Sequence, residues 1–366
     1  MRDENAVQLL AKTMGWQEDS ADQVGPLQLL ADYKYDHYQR FGPGRRFIES
    51  FALWLNQFDP DDRNAAFNFI RDKLIFFSDQ EMSHLVTTAY PDVIVQERLR
   101  IVAEEQGTPP YWVNRIASTP RFAELKSKSL YLGLSDGART NELRRSSFGE
   151  ISNEQIWQAY ELGDEKASDM LSALKESLAP SAEISEPPRF NAIWLLDDFS
   201  GSGNTYIRYD AKKGQFKGKL KKIYSRLHQG SLVDPTNYEV YLLLYVATRQ
   251  AIDHIEYWSE RFTSEHSYKP LQLRVICPIE KDVSVTPGWA QELKDFICND
   301  KNYDDRAFDK HMAVGGTDTA RLGFAGCALP LVLSHNTPNN SIYLLWGQEN
   351  FKPFGLFPRV SRHREF

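Results

Sequence analysis

The run Glu239–Thr248, EVYLLLYVAT, constrains the fold more than any other stretch. It is apolar at nearly every consecutive position. A strand with one face in water alternates between apolar and polar residues; a strand covered on both faces does not. The run is also too short to cross a bilayer, which takes ~20 residues. It therefore reads as a buried strand. SLYLGL at 129–134, AIWLL at 192–196 and LQLRVICPI at 271–279 repeat the pattern. Helical stretches alternate with them: RQAIDHIEYWSERF follows the first run, and PGWAQELKDFICND follows LQLRVICPI. SNEQIWQAYELGDEKASDMLSALKESL reads as one helix, with Ser152 as its N-cap and Gln155 at the capping-box position. ALPLVLSHN and SIYLLW, on either side of the turn-rich NTPNN, read as two more strands. Such alternation predicts an α/β fold with a mainly parallel sheet flanked by helices.

Residues 1–125 have a different grammar and are expected to form a helical N-terminal region. In RFIESFALWLNQF, Phe47, Phe51, Trp54, Leu55 and Phe58 fall on one face at 3/4 spacing. DPDDRNAAFNFIRDKLIFFS reads as a helix opened by Asp59 and Pro60. Ser78 and Glu81 have capping-box spacing ahead of the next, which Pro91 should stop. The expected division is 1–125, helical, and 126–366, α/β. Tyr33, Tyr35 and Tyr38 are expected to be exposed and able to dock a partner protein.

The net charge of −7 over 366 residues argues against a generally basic nucleic-acid surface. Direct nucleic-acid binding is not expected. Cys277, Cys298 and Cys327 are too far apart for a zinc site and are expected to be buried thiols. MRDENAVQLLAKTMGW carries acids where a signal peptide carries bases, so a soluble, cytoplasmic protein without a membrane span is expected.

The chemistry concentrates in NAIWLLDDFSGSGNTYIRY, Asn191–Tyr209. Asp197 and Asp198 end an apolar strand, where ligands of open parallel sheets collect. Gly201 and Gly203 permit close backbone approach, and a helix starting near Thr205 would aim its amides at an anion. Ser200, Ser202 and Thr205 add hydroxyl donors, and Asn204 completes the loop. Two carboxylates beside a phosphate cradle need another partner. Sugar hydroxyls are one and a divalent cation is another. A ribose 5-phosphate ligand meets that demand, with Mg²⁺ on Asp197 and Asp198 if a pyrophosphate is present. No Gly-Lys-Ser/Thr follows, so the loop is not a P-loop, and Tyr206 occupies the place of a third dinucleotide-fold glycine.

AIWLLDDFSGSGNT resembles the phosphoribosyl-pyrophosphate motif of type I phosphoribosyltransferases, with Asp197, Asp198, Ser202, Gly203 and Thr205 at its defining positions. LGLSDGARTNELRRSS, GFAGCALPLVLSHNTPNN and FPRVSRH are similar to one branch, the phosphoribosyltransferase-like proteins of bacterial conflict systems. The resemblance implies a phosphoribosyltransferase-like sheet and a ligand that is phosphoribosyl pyrophosphate or a nucleotide. It also implies a role in anti-phage defence, with a partner protein. By position, Ser135, Asp136, Gly137, Ala138 and Arg139 would hold pyrophosphate. Asp197, Asp198 and Arg139 would be the catalytic set. Arg144 and Arg145 would help with phosphates or form a solvated pair. His335 is a candidate at a strand end. Trp346, beyond HNTPNN, would stack a base from a C-terminal hood or sit in the core.

The interval between the pyrophosphate loop and the acidic motif shows no strand pair for a closing hairpin. APSAEISEPPRF, or the lysine-rich RYDAKKGQFKGKLKKIYSR after the motif, would have to serve as lid. Three readings follow: a phosphoribosyltransferase or nucleotide-degrading variant, a non-catalytic nucleotide-sensing module acting through a partner, and an S-adenosylmethionine-dependent methyltransferase. The last rests on Phe199-x-Gly201-x-Gly203 alone, because the next strand ends without an acid to hold the cofactor ribose.

Overall fold

A computed structural model describes residues 3–16, 21–39, 41, 46–161, 163–178, 188–234, 236–285 and 288–359. Among these the strands in chain order are β1 (Ile75–Phe77), β2 (Ser129–Gly133), β3 (Ile156–Gln158), β4 (Ala192–Ser200), β5 (Arg208–Asp210), β6 (Gln215–Lys217), β7 (Glu239–Thr248), β8 (Leu271–Ile279) and β9 (Leu331–Leu333). Packing gathers the chain into two compact units, Met1–Met82 with Glu280–Phe366, and Ser83–Ile279. The boundary near residue 125 follows chain order. The packing units follow contact, and the first takes in both ends of the chain.

In that first unit the helix Phe47–Leu55 buries Phe47, Phe51, Trp54 and Leu55, the face its spacing dictates. Trp54 Nε1 donates to Leu344 O at 3.1 Å, so the indole's polar edge is satisfied as well. Ser78 and Glu81 form the expected capping box: each backbone N–H donates to the other's side chain, at 2.8 and 3.2 Å. The helix before it is shorter than expected. It ends at Lys73, and Ile75–Phe77 becomes β1, paired in parallel with β9. SIYLLW is not a strand but a helical turn, Tyr343–Trp346, buried on all sides. A short apolar run does not reveal its period, which is why it misleads. Trp346 is a core residue, its Nε1 donating to Ser341 O at 2.8 Å. Tyr35 and Tyr38 are buried and only Tyr33 is exposed, so the three do not form an exposed aromatic surface.

The second unit is built on a five-stranded parallel sheet in the order β3-β2-β4-β7-β8. β7 and β8 match the expected runs residue for residue. Leu130, Leu132, Ile193, Leu195, Val240, Leu242 and Leu244 share one core. Tyr131, Trp194 and Tyr241 are in register across the middle strands, with the last two rings stacked 4.1 Å apart. The Ser152–Gln155 capping box exists but opens only a 3₁₀ turn. The edge strand β3 follows, and the helix begins at Asp164. APSAEISEPPRF falls largely on 179–187, outside the described residues. No zone after Thr205 is helical until Lys219. The lysine-rich stretch instead folds as the antiparallel hairpin β5–β6 and then the helix Lys219–Gln229.

Of the cysteines only Cys327 is buried; Cys298 is exposed and Cys277, on the edge strand β8, is half-buried. No helix among the described residues is long and apolar enough to cross a membrane.

Candidate functional site

The strand order places a topological switch point between β2 and β4. From β2 the chain turns outward to β3; from β4 it proceeds the other way, to the hairpin and β7. Loops leaving the carboxyl ends of two such strands diverge and open a crevice. On the β2 side the ladder of β4 ends at Leu196, whereas on the β7 side it continues to Ser200. Asp197 and Asp198 therefore sit within β4 yet beyond the last residue of β2. Successive strand residues point to opposite faces. Asp197 follows Ile193 and Leu195 toward the apolar core, and Asp198 faces the β2 loop.

Asp197 is 3% exposed and fully engaged. Oδ1 accepts the Ser135 hydroxyl and, at 3.3 Å, the Asp198 N–H. Oδ2 accepts the Tyr206 hydroxyl at 2.8 Å and the Lys219 ammonium at 2.9 Å. A carboxylate has about four lone-pair directions, and four donors fill them. Burial lifts the Asp197 carboxyl above the usual range, the Lys219 charge opposes that rise, and Asp198 reinforces it. Burial and the Asp197 charge push the Tyr206 phenol well up, so it stays a donor.

Asp198 is half-buried, and its Oδ1 accepts the Phe199 N–H at 2.9 Å. Its carboxylate lies directly against Gly137: a Cβ there would come 2.3 Å from Oδ2. Only glycine lets the two loops close to this distance. Asp136 accepts the Tyr160 hydroxyl at 3.0 Å. The 3₁₀ turn Asp136–Ala138 leads into Arg139, whose backbone is left-handed at φ 48° and whose Nη1 pairs with Glu142 Oε2 at 3.0 Å. Beneath the loop, Tyr245 donates its hydroxyl to Ala138 O at 3.2 Å. Arg144 is half-buried and Arg145 exposed on the following helix.

The glycine-rich loop is packed from below by the helix Arg249–Glu265. Thr248 Oγ1 donates to Gly201 O at 2.6 Å and caps that helix by accepting the Ala251 N–H. Gly203, with φ 77°, takes the left-handed turn. A Cβ on it would meet His254 at 2.9 Å and Ala251 O at 3.0 Å. Gly201 keeps an ordinary φ. Ser200 and Ser202 are buried, Asn204 half-buried and Thr205 exposed. The Asn204 N–H reaches Ser202 Oγ at 3.4 Å. Among the described residues, the N–H groups of Ser202, Gly203 and Thr205 have no protein acceptor. The loop thus offers anion-seeking amides without the helix start that the sequence suggests at Thr205. Successive unpaired amides in a turn suffice for that purpose.

The fold brings Ser135, Gly137, Asp197 and Asp198 together beside the 200–205 loop. Tyr206, Lys219, Tyr160 and Thr248, which no motif singles out for this place, pack around them. Tyr206 is visible only as a missing glycine, and Lys219 only as one lysine among several. His335 and Trp346 belong to the other packing unit.

A magnesium ion held by both acids does not fit this arrangement. Mg²⁺ requires open oxygen lone pairs in octahedral directions, and Asp197 has given all of its own to three side chains and a backbone N–H.

A family model described as PRTase-CE matches residues 52–359 of the chain. No curated protein and no solved structure matches it.

Proposed function

This chain belongs to the PRTase-CE family, a phosphoribosyltransferase-like family associated with conflict systems, and from that premise we propose that it binds a ribose 5-phosphate ligand in the β2/β4 crevice. Phosphoribosyl pyrophosphate or a nucleotide has the required groups. The observation that supports this most is the meeting of the two loops at the switch point, Ser135 on Asp197 and Gly137 against Asp198. The 5′-phosphate takes the N–H groups of Ser202, Gly203 and Thr205, with the hydroxyls of Ser202 and Thr205 beside them. Asp198 accepts the ribose hydroxyls. Ser135, Asp136, Gly137 and Arg139 receive the pyrophosphate end, where a guanidinium neutralises leaving oxygens by paired hydrogen bonds. Asp197 acts through position: it ties β4 to Ser135, Tyr206 and Lys219 and keeps the crevice in shape.

In phosphoribosyl transfer the bond from ribose C1 to pyrophosphate breaks, with pyrophosphate taking the electron pair. A nitrogen nucleophile, or water in a degradative variant, forms the new bond at C1 and gives up a proton, and positive charge develops on the ring in between. Asp198 is then the carboxylate that stabilises it. A second reading is the non-catalytic nucleotide-sensing module. The Lys219–Asp197 ion pair favours it, because it cancels one of the two charges such a transition state would use. Either activity would serve a defence role through a partner protein. The methyltransferase alternative has no comparable support.

Calorimetry with phosphoribosyl pyrophosphate, with and without magnesium chloride, beside an assay for released pyrophosphate separates these. Heat with release supports transfer. Heat without release supports the sensor. No heat with phosphoribosyl pyrophosphate, nor with a nucleoside 5′-monophosphate titrated in parallel, removes both.

A further inference from the structure

Away from the crevice, Arg98 stands in an unbalanced environment. The helix Gln96–Gln106 turns it inward, leaving the residue 4% exposed. A buried guanidinium needs an acid or a full set of acceptors. The neighbouring acids are engaged elsewhere. Glu97 pairs with Arg100 at 2.5 Å and Arg274 at 3.0 Å, and Glu150 pairs with Lys126 at 2.9 Å. Among the described residues no carboxylate is within ion-pair distance of Arg98.

Arg98 Nη2 has no hydrogen-bond partner, and neither has the Tyr90 hydroxyl. Tyr90 and Tyr131 are both buried. Burial raises both phenols, Tyr131 to about 12, while the Arg98 charge opposes the rise in each. The guanidinium acts on both phenols at hydrogen-bonding range as well as by its charge, yet its Nη2 and the Tyr90 hydroxyl remain without a completed bond. The Phe122 ring, 5.1 Å from the guanidinium, offers a π face that offsets only part of the desolvation. The cluster has donors to spare and no anionic acceptor. Tyr131 sits in the middle of β2, while Ser135 of the crevice follows that strand's carboxyl end.

We propose that Arg98, Tyr90 and Tyr131 form a buried oxyanion site that takes one small carboxylate or phosphate. The guanidinium fork matches two oxygens of either group, and the phenols donate to what remains. The test is thermal unfolding of the full chain, titrated with sodium formate or inorganic phosphate against sodium chloride at equal ionic strength. The wild-type midpoint should rise saturably with an oxyanion, beyond the chloride curve. The anion that saturates lower tells carboxylate from phosphate. Arg98→Met should remove the response. Tyr90→Phe, the milder change, should raise the half-saturating concentration about tenfold, as loss of one charge-assisted hydrogen bond does. The ribose 5-phosphate isotherm, which reads the crevice, should not change in either variant. A wild-type curve identical to chloride overturns the proposal and leaves water as the partner. A response that survives both substitutions overturns it too.

Discussion

Lys219 Nζ lies 2.9 Å from Asp197 Oδ2, across 22 residues of sequence. The ammonium reaches the acid from the start of a helix, beyond the β5–β6 hairpin, so the pair closes the hairpin onto the sheet. Removing Lys219 leaves a buried carboxylate unopposed. Lys219→Met should cost about 2–3 kcal/mol near neutral pH, reduced from the full buried-pair value because the lysine is about a third exposed. The sign with pH follows from the raised Asp197 carboxyl. Protonation relieves the stranded charge, so the deficit should shrink as pH falls through the folded-state value. Urea unfolding of both proteins at neutral and acid pH checks this.

Gly137 and Asp198 are separated by less than a methyl group needs. Gly137→Ala should displace the Asp198 carboxylate and weaken ribose 5-phosphate binding about tenfold. The stability cost should be about 1–2 kcal/mol, typical of overpacking. Gly149→Ala is the control: nothing lies near its Cβ position, and only its left-handed backbone resists. It should leave binding unchanged.

Much of the fold is legible because buried parallel strands announce themselves. Glu239–Thr248 and Leu271–Ile279 need no tertiary knowledge to find. The acids and glycines of the site are equally plain, since their chemistry is local. What is hidden depends on partners far along the chain. Nothing near Lys219 distinguishes it from Lys221 or Lys222 as the lysine that finds Asp197. Ser152 and Gln155 cap as their spacing dictates, yet Ile156–Gln158 then pairs with β2 because a sheet edge was available. SIYLLW fails for the opposite reason: burial on every side erases the period that separates helix from strand.

Glu97 is 7% exposed and held by two guanidiniums. Burial raises its carboxyl, and Arg100 and Arg274 overcome that, leaving it below the ordinary glutamate value. Its stabilising contribution is complete above the unfolded value and is lost as pH falls through the lowered folded one. Glu97→Gln should cost about 3 kcal/mol at neutral pH. It should also flatten the acid limb of the stability curve, measured by urea unfolding across that range.

The cysteines should separate by reactivity. Burial pushes the Cys327 thiol up to about 12, whereas Cys298 is exposed. Iodoacetamide at mildly alkaline pH should label Cys298 rapidly. Cys327 should react only on unfolding. Peptide mass spectrometry before and after urea addition reads both.

The most direct test compares the two adjacent acids. Calorimetry with phosphoribosyl pyrophosphate on wild type, Asp197→Asn and Asp198→Asn, each with a urea melt, distinguishes ligand contact from bracing. Asp198→Asn should weaken binding at least tenfold at unchanged stability, because one charge-assisted acceptor for the ribose is lost. Asp197→Asn should mainly lower stability. A wild-type protein that gives no heat with phosphoribosyl pyrophosphate or with a nucleoside 5′-monophosphate, or an Asp198→Asn protein that binds like wild type, would contradict a ribose-binding crevice between β2 and β4.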